Sequence, residues 1–284
     1  MLSFRQALIL GILQGVSELF PISSLGHSII LPALLGWTID QNANYFLTFL
    51  VATHFATAAV LFMFYQNDWV RIIRGTLRSI WRPSLGIDPD AKLGWLLVVG
   101  TIPAGALGFL FQKQLQQLFA SPLYVASFLT LNVLLLYVAE LLRVSAKSGV
   151  AIRDADQRIA AELSWFQSAR IGAMQVLALL PGFSRTGSTI AGGLMVGLAH
   201  EDALRFSFLL ATPIIGAAAA LKLPTLFVSR DVAATETALL GAAGSAIASY
   251  LSVKFLTKYF KTRTLTPFAI YCLVFGVSSL VVLG

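Results

Sequence analysis

The chain has 284 residues, of which 57% are hydrophobic and only 12% are charged, and its formal net charge is +7. Soluble domains carry about 25% charged residues, so this composition, with a mean hydropathy of +0.80, excludes an ordinary water-soluble protein and indicates a polytopic membrane protein. The basic residues lie in gaps between apolar segments rather than in a nucleic-acid-binding motif, so they predict membrane topology and no nucleic-acid partner.

Ten apolar segments follow one another along the chain. The first two, 4–20 and 22–37, are short and meet at a cluster of Pro, Gly and Ser residues, and 165–180 with 183–199 form a second broken pair. The other six are near the 20 or so residues that cross a bilayer as a helix, and they lie at 44–65, 93–111, 120–139, 206–229, 237–253 and 264–284. We therefore predict an all-α polytopic membrane protein with about six transmembrane helices and two re-entrant helix-loop-helix pairs.

Two polar stretches separate these segments. Arg71, Arg74, Arg78 and Arg82 recur at helical spacing among apolar residues, which predicts a basic amphipathic helix on the membrane surface. The mixed charges at 153–162 are typical of a solvated linker between two halves of the chain.

The two halves resemble each other when the sequence is shifted by 161 residues. Nine of 34 aligned positions in the two broken pairs are then identical, and in both halves one broken pair precedes three spans. We predict a single membrane domain, 1–284, built from repeat 1 at about 1–143 and repeat 2 at about 164–284. Because three spans is an odd number, the second repeat must be inverted relative to the first.

The basic residues fix a predicted orientation. In the inverted arrangement one set of connections carries 15 Lys and Arg residues and the other set carries four. The positive-inside rule then places the first set in the cytoplasm and both chain termini outside. Arg185 belongs to neither set.

The two clusters, 21–27 and 181–189, lie near the predicted membrane midplane, and each begins a helix. Free backbone N–H groups and hydroxyls at a helix N-terminus bind anions, so two such ends with Arg185 suit a phosphate or a diphosphate. Glu18 precedes the first cluster, and Gln14 lies one helical turn earlier on the same face. The residues leave open whether Glu18 binds a metal, forms a salt bridge with Arg185 or handles a proton.

Two histidines are candidates for function: His27 lies in the first cluster, and His54 lies within a predicted span. His27 follows Ser24 by three residues, so the two can share a helix face and act as base and nucleophile; simple helix packing is the alternative. His54 lies in the middle of a predicted span, and we expect it to face the helix bundle without binding a ligand.

The chain resembles, over essentially its whole length, the undecaprenyl-diphosphate phosphatase family, the bacitracin-resistance proteins of bacterial membranes. Residues 14–18, 20–21, 23–24 and 26–27 resemble the first motif of the family, and residues 181–189 resemble its second. Supporting similarities lie at 100–104, 205–209 and 267–271. The chain departs from the family at Gln14, where many members have Glu, at Leu25 in place of Thr, and at Cys272 in place of Arg.

The resemblance implies a membrane phosphatase that removes the terminal phosphate of a C55 isoprenyl diphosphate, recycles the cell-wall carrier lipid and confers bacitracin resistance in the bacterial inner membrane. By role, the implied residues are Ser24, His27, Glu18 and Arg185 in catalysis, Ser23, Ser184, Gly187 and Thr189 in substrate binding, and Glu18 with Gln14 beside a divalent cation, Mg or Ca. Gln14 in place of Glu weakens the metal site. The implied active site opens to the outer face.

Other partners and functions stay open at this point. The expected partners are an isoprenyl diphosphate lipid and the bilayer, with a homodimer as one option for the oligomeric state. A transporter or flippase of an anionic or polyprenyl-phosphate lipid would use the same inverted repeat and midplane anion site. The phosphatidic-acid-phosphatase superfamily is disfavoured, because it has a His six residues after the Arg, where this chain has Ala191.

Overall fold

The structure, a computed structural model, describes residues 1–40, 43–81, 88–111, 121–143, 154–228 and 232–284. Within these ranges the chain forms twelve α-helices and one short 3-10 helix at Val176–Leu179. The α-helices are α1 Phe4–Ser17, α2 Ser24–Leu34, α3 Asn44–Phe64, α4 Gln66–Trp81, α5 Pro89–Leu110, α6 Pro122–Leu141, α7 Ala155–Glu162, α8 Trp165–Gln175, α9 Arg185–Met195, α10 His200–Val228, α11 Val232–Tyr259 and α12 Thr266–Leu283.

Six of these helices are long and apolar enough to cross a membrane: α3, α5, α6, α10, α11 and α12. The predictions of an all-α fold and of six spans are therefore confirmed. α11 is longer than its uncharged run, because the helix continues through Glu236 at one end and through Lys254 and Lys258 at the other. Charged residues can end a hydrophobic span without ending the helix.

The two broken pairs, α1 with α2 and α8 with α9, begin in the same way. Ser3 caps α1, and Gln6 returns a hydrogen bond to the backbone of Ser3, which completes a capping box. Ser164 and Gln167 form the same box at the start of α8. These four residues correspond at the shift of 161, so the sequence similarity marks the same local structure.

The second helix of each pair also begins and ends alike. The N-cap of α2 is Ser23, whose hydroxyl accepts from the backbone N–H of Gly26, and Ser184 caps α9 in the same way through Gly187. After each helix the chain turns at a glycine with positive φ, Gly36 at 64° and Gly197 at 102°, a conformation that glycine adopts at low cost. We call the segment between the two helices of each pair a break. Each break leads into a second helix whose N-terminus is capped by a serine, and this feature positions the site.

The first helix of each pair packs closely on a span: α1 on α11, and α8 on α5. A Cβ added at Gly11 would overlap the backbone of Gly241, and one added at Gly172 would overlap the backbone of Gly100. Small residues at a membrane-helix interface allow this backbone approach. α3 packs on both α10 and α11, and α6 packs on α12, so the broken pairs lie among the spans.

The predicted amphipathic helix is present as α4, with Trp69 and Ile72 on its buried face. Arg82, which was predicted to belong to it, lies outside the described residues. Arg71 on this helix binds Asp68 and Asp154 at 3.0 and 3.1 Å.

The prediction of a solvated linker at 153–162 is wrong for the residues that are described. Asp154 caps α7, and Ile159 and Ala160 are buried on it. Asp156 is only 1% exposed, because its carboxylate binds the guanidinium groups of Arg71 at 2.9 Å and Arg205 at 2.6 Å. The charges pair with α4 and α10 rather than facing water, so α7 is a packed element.

Candidate functional site

A cavity of about 440 Å³ is lined by both breaks together with α3, α5 and α10. Its polar lining comes from the end of α1, the start of α2, α3, the end of α8 and the start of α9, and most of the remaining lining is apolar. The polar residues are Ser17, Glu18, Ser23, Ser24, His54, Gln175, Ser184 and Arg185. The structure thus brings the two predicted clusters to one cavity.

Glu18 is the centre of the contacts on this cavity. Its Oε1 accepts a hydrogen bond from Nη2 of Arg185 at 2.8 Å, and its Oε2 accepts one from the hydroxyl of Ser24. His54 places Nε2 3.4 Å from the same Oε2. The salt bridge between Glu18 and Arg185 that the sequence left open is therefore present, and it holds α9 beside the first break.

Only one of the two terminal nitrogens of the Arg185 guanidinium binds Glu18. Nη2 is used by Glu18, whereas Nη1 is buried and has no hydrogen-bond partner among the described residues. Because Arg185 lines the cavity, the free end can donate to an anion there. A guanidinium offers fixed, planar donors that suit phosphate.

The expected pair of Ser24 and His27 is not formed. Nδ1 of His27 lies 2.6 Å from the carbonyl oxygen of Ser23, and Nε2 lies 2.7 Å from the hydroxyl of Tyr271. A carbonyl only accepts, so Nδ1 carries the proton and Nε2 accepts from Tyr271. The ring also stacks on Phe275 at 4.8 Å. The contacts to α12 and to the preceding turn direct His27 away from Ser24, whose hydroxyl faces Glu18 instead.

Gln14 does not share the cavity with Glu18. Its side chain is fully buried, and Oε1 accepts hydrogen bonds from Thr57 at 3.1 Å and from Ser245 at 2.5 Å. These hydroxyls on α3 and α11 hold the amide between helices, so Gln14 does not fit as a second ligand beside Glu18. Within the described ranges, no group of three or more His, Cys, Asp and Glu residues is placed to hold a metal ion.

The predicted substrate-binding residues divide into two groups. Ser23 and Ser184 line the cavity and cap α2 and α9. Ser23 has an unusual φ of 71°, and strain of this kind is concentrated at functional sites.

Gly187 and Thr189 do not line the cavity. A Cβ on Gly187 would approach Leu136 and Pro21 to 3.0 and 3.2 Å, and Thr189 forms a buried hydrogen bond with Ser207 at 2.5 Å. Both residues therefore pack α9 against its neighbours. Thr186 adds a hydrogen bond from its hydroxyl to the carbonyl of Glu18 at 2.9 Å, which joins the two breaks.

Sequence reasoning did not predict three of the polar cavity residues, Ser17, His54 and Gln175. The hydroxyl of Ser17 donates to the carbonyl of Leu13 within α1. His54 directs Nδ1 to the carbonyl of Leu50 at 2.7 Å, which leaves Nε2 toward Glu18. A polar residue in an otherwise uncharged span is a signal of function, and that signal was available for His54. Gln175 corresponds to Gln14 at the shift of 161 residues, but its side chain lies on the cavity.

The arrangement combines three chemical capacities. A serine hydroxyl already donates to a carboxylate that can take its proton, and a guanidinium has one nitrogen without a partner in the described part of the chain. The N-termini of α2 and α9 begin at cavity residues, and a helix N-terminus favours negative charge. Together these features suit attack by a hydroxyl on a bound phosphate or diphosphate.

Comparison with known proteins identifies the family. The family model described as bacitracin resistance protein BacA matches residues 7–278. The chain is 46% identical to an undecaprenyl-diphosphatase of Mycobacterium avium (strain 104), over 99% of this chain and 97% of that protein. It is 45% identical to undecaprenyl-diphosphatase 2 of Chromobacterium violaceum, over 97% of each chain, and 44% identical to the undecaprenyl-diphosphatase of Acidiphilium cryptum (strain JF-5), over 98% of this chain and 97% of that one. The chain therefore belongs to the BacA family of bacitracin resistance proteins.

Proposed function

We propose that the protein hydrolyses undecaprenyl diphosphate to undecaprenyl monophosphate and inorganic phosphate, which recycles the carrier lipid of cell-wall synthesis and gives resistance to bacitracin. One observation carries the proposal: on one cavity, Glu18 accepts from the hydroxyl of Ser24 and from the guanidinium of Arg185. The relatives named above carry the name undecaprenyl-diphosphatase, which supports the choice of substrate.

In the first half-reaction, Oγ of Ser24 attacks the terminal phosphorus of the diphosphate. Its proton passes to Oε2 of Glu18, the oxygen that already accepts it. The bond between that phosphorus and the bridging oxygen breaks, the lipid monophosphate leaves with the bridging oxygen, and Glu18 releases its proton to solvent. The product on the enzyme is a phosphoserine at Ser24.

In the second half-reaction, water attacks the phosphoserine and gives one proton to Glu18. The bond between Oγ and phosphorus breaks, and Oγ takes that proton back, so phosphate leaves and the site returns to its starting state. His54, 3.4 Å from Oε2, stabilises the carboxylate in the orientation that serves both steps. His27 is a positioning residue, because it ties the carbonyl of Ser23 to Tyr271.

Arg185 stabilises the negative charge that moves to the bridging oxygen. Nη1 is the donor available to the diphosphate, while Nη2 keeps Glu18 in place. The N-termini of α2 and α9 add their partial positive charges. A site of this kind is preorganised, since the donors are in position before the substrate binds.

A divalent cation, Mg or Ca, is part of the proposal as a partner of the bound substrate. Of the two expected ligands only Glu18 lines the cavity, because Gln14 is held by Thr57 and Ser245. Both carboxylate oxygens of Glu18 already accept a hydrogen bond, from Arg185 and from Ser24, so the cation would share this carboxylate with them. Both cations prefer oxygen ligands, and Mg commonly combines one or two carboxylates with substrate phosphates. When bound, the cation would neutralise phosphate charge.

The proposed architecture is an inverted repeat with two re-entrant pairs, in the inner membrane, with both termini and the site facing outward. The matched caps at Ser3 and Ser164, and at Ser23 and Ser184, support a duplicated unit.

The orientation can be tested in a chain without Cys272. Single cysteines are placed at the exposed positions Asp40 and Thr262, and intact cells are treated with a membrane-impermeant thiol reagent. Labelling at Asp40 alone is expected, and labelling at Thr262 alone would reverse the topology. The homodimer remains a prediction, which light scattering would test by measuring the molar mass of the purified protein.

The direct test of the activity uses purified protein in detergent, where no compartment exists and transport cannot be scored. The protein should release phosphate and isoprenyl monophosphate in equal amounts from an isoprenyl diphosphate. Glu18→Gln should lose this activity, because the amide cannot accept the serine proton.

Glu140→Gln is the matched control. Glu140 lies on α6 and binds His200 and the backbone of Leu265 at 2.9 and 2.6 Å, away from the cavity, so this variant should stay active. A wild-type protein that releases no phosphate from isoprenyl diphosphates would refute the proposed function and favour a transporter.

A further inference from the structure

Gln175 is the last residue of α8 and is only 2% exposed. Neither Nε2 nor Oε1 of its amide has a hydrogen-bond partner among the described residues. A buried amide without partners is costly, because it has given up its hydrogen bonds to water. A bound ligand that forms hydrogen bonds with the Gln175 amide would explain why this amide is buried.

The location of Gln175 indicates where that partner binds. In the described part of the chain, eight buried side-chain nitrogen and oxygen atoms lack a partner. Three of them lie on residues that line the cavity: both amide atoms of Gln175, and Nη1 of Arg185. The unused donors of the two residues thus belong to one cavity, which is the cavity of Ser24 and Glu18.

The corresponding residue in the first broken pair gives an internal comparison. Gln14 occupies the equivalent position, and its Oε1 is satisfied by the hydroxyls of Thr57 and Ser245. Its Nε2, like the amide atoms of Gln175, has no partner among the described residues, but Gln14 does not line the cavity. The same residue type at the same place in the local structure is therefore a packing residue in one pair. In the other pair the residue lines the cavity, and both atoms of its amide are without a partner among the described residues.

The chemistry of the cavity selects the ligand group. Arg185 and the N-termini of α2 and α9 make it attractive to anions, and phosphoryl oxygens accept hydrogen bonds. An amide adds donors without adding a charge that would repel the guanidinium. We propose that Gln175 is a substrate-binding residue whose Nε2 donates to a non-bridging oxygen of the diphosphate, alongside Nη1 of Arg185. This inference rests on the proposed function, since it assigns a further contact to the same substrate.

The test compares Gln175→Met with Gln167→Met. Methionine keeps the length of the side chain and removes the amide. Gln167 lies on the same helix, and its amide binds Ser164 and the carbonyl of Val196 at 3.0 Å, away from the cavity lining. The control therefore perturbs α8 by the same substitution without touching the proposed ligand.

The measured quantity is the dissociation constant of a farnesyl methylenediphosphonate, whose bridging carbon prevents hydrolysis, for each purified protein. A hydrogen bond to a charged group supports about a tenfold or larger loss of affinity in Gln175→Met. Gln167→Met should bind as the wild type does. In turnover, Gln175→Met should raise KM more than it lowers kcat, as expected for a contact made before the chemical step.

Equal affinities of Gln175→Met and wild type would overturn the inference, and so would an equal loss in both methionine variants. If Gln175→Met does not fold, Gln175→Glu replaces it: the carboxylate keeps the shape, loses the donors and repels the diphosphate, so wild-type affinity in that variant would also overturn the inference. Failure of the proposed function gives a different result, because the wild-type protein itself would then release no phosphate.

Discussion

Replacing Arg185 by Lys separates a catalytic role of this residue from a structural one. The guanidinium uses Nη2 for Glu18 at 2.8 Å, whereas Nη1 has no partner among the described residues. Lysine has a single ammonium in place of the two terminal nitrogens of the guanidinium, so it cannot reproduce the fixed planar geometry in which Nη2 binds Glu18 and Nη1 is left for the diphosphate. Arg185→Ala would be less informative, since it leaves a buried carboxylate without its cation.

The magnitude follows from the loss of one preorganised donor. Such a loss typically costs about 100-fold to 1,000-fold in rate, or about 2.7 to 4 kcal/mol in the activation barrier. The assay is kcat/KM for phosphate release from an isoprenyl diphosphate, with thermal unfolding measured on the same samples. We expect Arg185→Lys to unfold near the wild-type temperature and to lose at least 100-fold in kcat/KM.

Arg170→Lys is the matched control. Arg170 is an exposed residue of α8 and does not line the cavity, so this variant should keep full activity. If Arg185→Lys also keeps full activity, the reasoning is refuted, and Arg185 is then the structural partner of Glu18 alone.

Three further predictions follow from the same contacts. Gly11→Ala and Gly172→Ala should each lower the unfolding temperature, because the new methyl group meets the backbone of Gly241 or Gly100 and overpacking of this kind costs about 1 to 3 kcal/mol in the free energy of unfolding. Gly105→Ala, whose methyl group meets no atom within 4 Å, should be neutral or stabilising in the same melts, and the reverse order would contradict the packing. His54→Ala removes the nitrogen 3.4 Å from Glu18 and should lower kcat about tenfold or more; unchanged kcat would exclude His54 from the mechanism. Excess chelator should abolish phosphate release and added Mg should restore it, whereas full activity in chelator would remove the cation from the proposal.

The sequence was sufficient to predict the features that depend on local pattern. Hydropathy marks the six spans, and the Pro, Gly and Ser clusters mark the two breaks. The two clusters at predicted helix N-termini, together with Arg185, led to the expectation of one anion site, and residues of both clusters line one cavity. The spans and the two clusters are set by residues within a few turns of one another.

Side-chain directions were less predictable, because distant helices decide them. His27 binds Tyr271, which lies 244 residues away, so helical spacing to Ser24 could not reveal its partner. Gln14 is held by Ser245, 231 residues away. The spacing of residues on one helix predicts which face they share, but the rotamer depends on what the neighbouring helix offers.

The charges at 153–162 were misinterpreted for a related reason. Asp156 belongs to a mixed-charge stretch of the kind that is typical of linkers. In the structure it is buried, because Arg71 and Arg205 from two other helices form ion pairs with its carboxylate. A mixed-charge stretch becomes a packed element when other segments supply the opposite charges. Sequence composition does not show that pairing.

The central claim is that the hydroxyl of Ser24, activated by Glu18, attacks the terminal phosphorus, and one comparison tests it most directly. Phosphate release from an isoprenyl diphosphate is measured for Ser24→Ala and for Ser28→Ala. Ser28 lies one turn later on α2, and its buried hydroxyl has no hydrogen-bond partner among the described residues and does not line the cavity. We predict that Ser24→Ala loses nearly all activity while Ser28→Ala keeps it, with both proteins folded. Near-wild-type turnover in Ser24→Ala would contradict the account, because water would then be the nucleophile.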